Sequence, residues 1–259
     1  MKLEVLGCSG GIGGREFLTT SLRIDDDILI DCGTGVGVLD VDALARIDHV
    51  FLTHSHLDHI ALLPMLIDSA SERRDRPLHV HGAPETLAAL RAHVFNWTIW
   101  PDFTVLPGSG AGAGAPLLTL ESLAVGDSLV LGDRRITPIP AEHAVPTQGY
   151  VVGYPGGSLA FSGDTTLCPA QIAALNAVSD LHMLIIETAL PDARSEMALV
   201  ARHLSPHTLH DALSLLTGRP EVYVTHLKPG HSRTLQHEVL DYTGPLRLEL
   251  LRQGQVFDL

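Results

Sequence analysis

Short apolar runs recur along the chain between turn residues. KLEVLG (2–7), TSLRID (20–25), DILIDCG (27–33), HVFLTH (49–54), LHVHG (78–82), RITPIPAEH (135–143), GYVVGY (149–154), SLAFSGD (158–164), HMLIIET (182–188) and EVYVTH (221–226) have the β-branched and aromatic enrichment of strands. HIALLPMLIDSA (59–70), PETLAALRAHVF (84–95), CPAQIAALNAVS (168–179) and SPHTLHDALSLLTG (205–218) read as helices, the last with Ser205 as N-cap and Pro206 at the first helical position. This mixture predicts an α/β protein of layered sheets flanked by helices. A length of 259 residues with 45% hydrophobic content is ample for one large domain, expected to span 1–259. The glycine-rich PGSGAGAGAP (107–116) reads as a flexible surface loop, because no lysine and no helix follow it to hold a phosphate.

The polar residues that follow the strand-like runs change the picture from architecture to chemistry. THSHLDH places His54, His56, Asp58 and His59 just after one run; His143, Asp164, Glu187 and His226 follow four others. Side chains at strand ends of a rigid sheet can converge on one point. Within the turn, His54 and His56 at i, i+2 can point the same way, whereas Asp58 and His59 must come from the bend after them. Imidazole and carboxylate donors without thiolate suit zinc, iron or manganese, and a structural zinc needs only four closed ligands. This larger set therefore favours two divalent ions about 3.5 to 4 Å apart, sharing a hydroxide. The bland alternative for each strand-end residue is a solvated or capping role.

Composition narrows the partners. The net charge of -13, from 30 acidic and 17 basic residues, leaves no Lys/Arg block to dock long nucleic acid. Three widely spaced cysteines form no CxxC, which argues against a disulfide framework or a cysteine-rich zinc site. The start, MKLEVLGCSGG, lacks the apolar stretch of a secretory signal, and no apolar run is long enough to span a bilayer. The expectation is a cytoplasmic protein with no membrane partner.

THSHLDH resembles the HxHxDH signature of the metallo-β-lactamase superfamily, and the resemblance extends over essentially the whole chain. It implies an αββα sandwich with two bound metals, zinc first and manganese or iron as alternatives. By motif, His54, His56 and His143 would hold the first ion, Asp58, His59 and His226 the second, and Asp164 of FSGDT would bridge them. Within the superfamily the chain is most similar to class II cyclic-nucleotide phosphodiesterases, through THSHLDHIALLPML, NWTIWPDF (96–103), EHAVPTQGYVV, IIETAL, RHLSPHTL and THLKP. Those enzymes and the tRNA-processing nucleases carry a Glu and a His at the positions of Glu187 and His203, a pairing in which the carboxylate orients an imidazole that protonates the leaving oxygen. The resemblance therefore implies hydrolysis of 3′,5′-cyclic nucleotides such as cAMP to 5′-nucleotides, with Asp58, Glu187 and His203 as candidate catalytic residues and a small phosphodiester as the partner. One departure is Ala61 and Leu62, where many relatives have a glycine-containing step after the signature.

Other features are open to two readings. Lys228 in THLKPG could reach a phosphate or lie in solvent. NWTIWPDF carries both tryptophans, Trp97 and Trp100, which could stack a base; a packing or homodimer contact is the favoured role. GCSGGIGG (7–14) fits neither a dinucleotide fingerprint nor a P-loop and reads as a close-packed turn. His49, His79, His81, His93, His182, His207, His210, His231 and His237 read as core or surface residues. The rival activities are a tRNA 3′-end nuclease, a lactonase or a β-lactamase on the same fold. A di-iron oxidoreductase is disfavoured because its relatives carry Glu where this chain has His56, and a decayed binding module is disfavoured by the full ligand set.

Overall fold

The computed structural model describes residues 1–108 and 114–259. Residues 109–113 of the expected glycine-rich loop lie outside the described residues. The chain forms two compact units, each containing one seven-stranded mixed sheet. The first comprises Met1–Gly7, Leu18–Leu123 and Gln253–Leu259; the second comprises Cys8–Phe17 and Ala124–Arg252.

In the first unit the sheet order is the chain's last strand (Val256–Asp258), β1 (Lys2–Gly7), β2 (Ser21–Ile24), β3 (Ile28–Ile30), β4 (His49–Phe51), β5 (Leu78–Gly82) and β6 (Leu118–Ser122). β1 to β3 pair antiparallel and β3 to β6 parallel. Parallel pairing requires crossovers, which carry α1 (Val41–Arg46), α2 (Leu57–Ile60), α3 (Leu63–Ala70) and α4 (Pro84–His93). Val50, Leu78, Val80 and Leu118 pack with Leu63, Leu66, Leu87 and Leu90 in one core. The period of two then sends His49, Phe51, His79, His81, Thr119 and Glu121 to the other face, with His49 opposite His79 and His81 opposite Glu121. The single helix expected over 59–70 is two: Pro64 has no amide proton for the helix ladder, and the Leu62 amide bonds the Cys32 carbonyl at 3.0 Å.

In the second unit the strands lie in chain order: β7 (Leu129–Leu131), β8 (Arg134–Pro140), β9 (Gln148–Tyr154), β10 (Gly157–Phe161), β11 (Leu181–Glu187), β12 (Glu221–Thr225) and β13 (Leu248–Leu250). β7 to β10 pair antiparallel, and β10 to β13 parallel. The helices are α5 (Pro169–Asn176), α6 (Ser195–Ala201), α7 (Pro206–Ser214) and α8 (Ser232–Leu240). Ser205 caps α7 as expected, in a reciprocal capping box with Thr208. Among the described residues, no helix is long and apolar enough to cross a membrane.

Candidate metal centre

In the first unit, the signature straddles a change of backbone conformation. β4 ends at Phe51, the chain bends at Thr53, His56 is extended (φ -66°, ψ 147°), and α2 starts at Leu57. His54 and His56 therefore leave the short connection between strand and helix, whereas Asp58 and His59 stand on the first turn of a helix, which is the bend their spacing requires. The His54 ring centroid lies 4.2 Å from that of His59 and 4.6 Å from that of His56. His59 Nε2 is 3.9 Å from Asp58 Oδ2. His54 and His59 are buried; His56 and Asp58 are partly exposed. Gly33 allows this approach, since a Cβ there would sit 2.2 Å from the Asp58 carbonyl oxygen.

Asp31 is the residue the sequence reading missed. It follows β3, is fully buried with φ 59°, and places Oδ2 2.6 Å from His59 Nδ1. Its Oδ1 accepts from the Thr53 amide at 2.8 Å. Burial pushes the Asp31 carboxyl up, against the opposing pull of His59 and the Thr53 hydrogen bonds. The signal was available: the Asp of DILIDCG is a strand-end carboxylate, as Asp164 is.

In the second unit, His143 follows β8, Asp164 follows β10, Glu187 ends β11 and His226 follows β12. Asp164 Oδ2 lies 3.3 Å from His226 Nε2 and 3.9 Å from His143 Nε2, all buried. One carboxylate oxygen thus stands between two imidazole nitrogens. His143 Nδ1 pairs with the Arg202 carbonyl at 2.9 Å; Arg202 ends α6 in the left-handed conformation, φ 55°. His226, also left-handed at φ 66°, is held by its amide on the Cys8 carbonyl at 2.9 Å. The glycine-rich turn is close-packed here, because a Cβ at Gly10 would fall 2.3 Å from the His226 carbonyl oxygen and 2.8 Å from its ring.

His203 lies beside His143, Asp164 and His226. Its ring centroid is 4.8 Å from that of His143 and 5.3 Å from that of His226, and donor atoms of His143, Asp164 and His203 lie within 4.8 Å of one another. His203 Nδ1 is 2.9 Å from Glu187 Oε1, which also accepts from the Thr165 amide at 2.9 Å. Burial presses the His203 imidazole down, but Glu187 and Asp164 outweigh it and hold the ring above its ordinary value. Burial raises the Glu187 carboxyl in turn, opposed by His203.

The donor chemistry fits divalent ions. An imidazole whose Nδ1 is engaged by an oxygen presents Nε2 as its ligating nitrogen. That holds for His54 (Thr53 Oγ1, 3.0 Å), His59 (Asp31) and His143 (Arg202 carbonyl).

The chain matches the profile described as Beta-lactamase superfamily domain over residues 26–227. It belongs to that superfamily. A probable 3′,5′-cyclic-nucleotide phosphodiesterase from Yersinia pestis is 27% identical over 71% of this chain, but the match spans only 57% of that relative. A ribonuclease Z from Myxococcus xanthus is 26% identical over 86% of each chain. The crystal structure of unliganded yeast PDE1 superposes with a TM-score of 0.82 at 18% identity, over 100% of this chain and 99% of that one. The structural likeness shows the fold, the α/β sandwich of the metallo-β-lactamases. As a beta-lactamase superfamily member the chain is a hydrolase, and its fold implies divalent-metal binding.

The three expected substrate contacts fall in different settings. Lys228 Nζ donates to the Gly10 carbonyl. Trp100 is half-buried against the first unit's core, whereas Trp97 is 64% exposed with φ 64°. His207 and His237 are exposed beside Asp211 and Asp241 one helical turn on, surface roles as read from the sequence.

Proposed function

We propose that the protein is a dinuclear metal phosphodiesterase that opens 3′,5′-cyclic nucleotides to 5′-nucleotides. The ligand division follows the motif: His54, His56 and His143 for one ion, Asp58, His59 and His226 for the other, and Asp164 for both. Zinc is the first choice for an imidazole and carboxylate set, with manganese or iron behind it. When bound, two such ions supply Lewis acidity and lower the pKa of water towards about 7.

The observation that carries the reading is the buried Glu187–His203 pair beside His143, Asp164 and His226. A ribose 3′ oxygen is a poor leaving group and needs a proton as the P–O bond breaks. Glu187 fixes the His203 ring through Nδ1 and favours its charged form, so the Nε2 proton is the one to give. An acidic surface offers no steering of an anionic substrate, so attraction must be local. Ribonuclease Z activity is the second reading, favoured by the Myxococcus relative's longer match; the absence of a Lys/Arg block in the sequence weighs against it.

The deciding experiment is a panel of substrates with zinc-loaded protein: cyclic AMP, bis-aryl phosphate esters, a tRNA precursor with a 3′ trailer, a lactone and a β-lactam. Conversion of cyclic AMP to 5′-AMP in preference to the others is expected. Turnover of the tRNA precursor, the lactone or the β-lactam with no cyclic nucleotide opened would overturn the proposal.

A further inference from the structure

We propose that Thr53 is a positioning residue that extends the hold of Asp31 from His59 to His54, so that one buried carboxylate orients one imidazole in each ion's ligand set. The inference rests on the two-ion division proposed above.

Thr53 is fully buried. Its Oγ1 lies 2.9 Å from Asp31 Oδ2, 3.1 Å from Asp31 Oδ1 and 3.0 Å from His54 Nδ1. The hydroxyl has a single proton to give. Asp31 accepts from the Thr53 amide at Oδ1 and faces His59 Nδ1 at Oδ2, so the carboxyl oxygens serve as acceptors, the hydroxyl proton points to Asp31, and His54 donates from Nδ1 to Oγ1. The reverse arrangement, with the hydroxyl donating to His54, would set an oxygen lone pair against the carboxylate at hydrogen-bonding distance. Only the first arrangement satisfies all partners, and it leaves the His54 lone pair on Nε2. On the other side of the same carboxylate, His59 donates from Nδ1 at 2.6 Å.

The side-chain type matters. Thr53 stands at a bend after β4, and its buried hydroxyl is costly unless bonded. Threonine is stiff at χ1, so its hydroxyl is aimed without loss of rotamer freedom on metal binding. Its backbone amide also donates to Asp31, which ties the aim of the hydroxyl to the carboxylate it serves.

Thr53→Val removes the hydroxyl at nearly constant volume, and Thr53→Ser keeps it. Zinc affinity of the full chain is measured by chelator competition, and nitrogen-15 histidine spectra read which nitrogen of His54 carries the proton. In Thr53→Val one of two zinc ions should bind about 10- to 100-fold more weakly, the usual cost of losing a ligand's outer partner. Thr53→Ser should stay within a few-fold of the parent, and parental His54 should be protonated on Nδ1. Unchanged binding of both ions in Thr53→Val, or a proton on His54 Nε2 in the parent, overturns the proposal; the second readout stands even where the variant fails to fold. His54→Ala separates the two levels. Loss of one ion there with no effect of Thr53→Val defeats only the role of Thr53, whereas no loss in His54→Ala defeats the two-ion division with it.

Discussion

Glu187 ends β11 with its carboxylate fully buried and 2.9 Å from Nδ1 of His203, a residue sixteen positions further on. A buried carboxylate in that place is costly unless it is bonded, and both the His203 ring and the Thr165 amide bond it. The pair therefore holds a ring in one orientation and favours its charged form.

If His203 protonates the leaving oxygen, His203→Ala should lose about 10² to 10⁴ in rate on a cyclic nucleotide while keeping its metals. Nitrophenyl esters, whose leaving groups need no proton, should suffer much less. Glu187→Gln should fall between, since the ring keeps a hydrogen-bond partner and loses the charge. Steady-state rates on both ester classes, with elemental analysis alongside, test this. Equal losses on activated and unactivated esters would assign His203 a structural role.

Asp164 sets Oδ2 between His143 Nε2 and His226 Nε2 at 3.9 and 3.3 Å. A bridging ligand serves both ions, so Asp164→Ala should lower the metal content from about two ions per chain to one or none. Asp164→Asn should weaken binding less. A single tightly held ion in the parent, unmoved by Asp164→Ala, would remove the bridge.

Many of the candidate ligands were legible because strand ends announce themselves. THSHLDH, His143, Asp164 and His226 each follow a run of β-forming residues, and the structure puts them where those strands stop. Asp31 escaped notice because a lone Asp between apolar residues and a Cys-Gly step reads as a turn; its role depends on His59, 28 residues away. The strands β6, β7 and β13 and the last strand were not read because they are short or half-exposed at sheet edges, where pairing rather than sequence decides the conformation. The helices α1, α6 and α8 were missed for a related reason: each rests on a few apolar positions, such as Ala198 in α6 and Leu235 with Val239 in α8. The helix over 59–70 was read too simply because its apolar pattern is continuous across the break at Ala61–Leu62, just ahead of Pro64.

The two tryptophans of NWTIWPDF should behave differently. Trp100 packs against the first unit's core, so Trp100→Ala should destabilise by about 2 to 4 kcal/mol. Trp97 is exposed and left-handed, a conformation that costs a bulky residue about 1 kcal/mol or more. Trp97→Gly should therefore leave stability unchanged or raised, and any loss must appear in function: a higher KM if the indole meets substrate, or a shift in sedimentation if it forms a homodimer contact. Urea unfolding, kinetics and sedimentation on the same two variants separate the roles. Equal destabilisation by both substitutions would mean that Trp97 is a packing residue.

The face of the first unit's sheet away from its helices carries a row of imidazoles. His81 is 3% exposed, stacks on Phe51 with centroids 4.6 Å apart, and places Nε2 3.0 Å from His49 Nδ1. Burial pushes the His81 pKa down to about 4, only partly countered by Glu121. The unfolded chain protonates this ring near pH 6.5, whereas the folded one resists until about pH 4. Between those values the unfolded state binds the extra proton, so stability falls as pH falls and levels off below the folded pKa. The span corresponds to a loss of about 3 kcal/mol at most. His81→Gln removes the titration, and its stability should decline less than the parent's between pH 6.5 and 4. His49, shifted downward in the same sense, is bonded to His81 and titrates together with it, so the difference between the two pH profiles reads this imidazole pair, while the remaining histidines are common to both proteins. Urea midpoints at half-unit pH steps provide the measurement, and parallel profiles would show that His81 takes up its proton in the folded state at its ordinary pH.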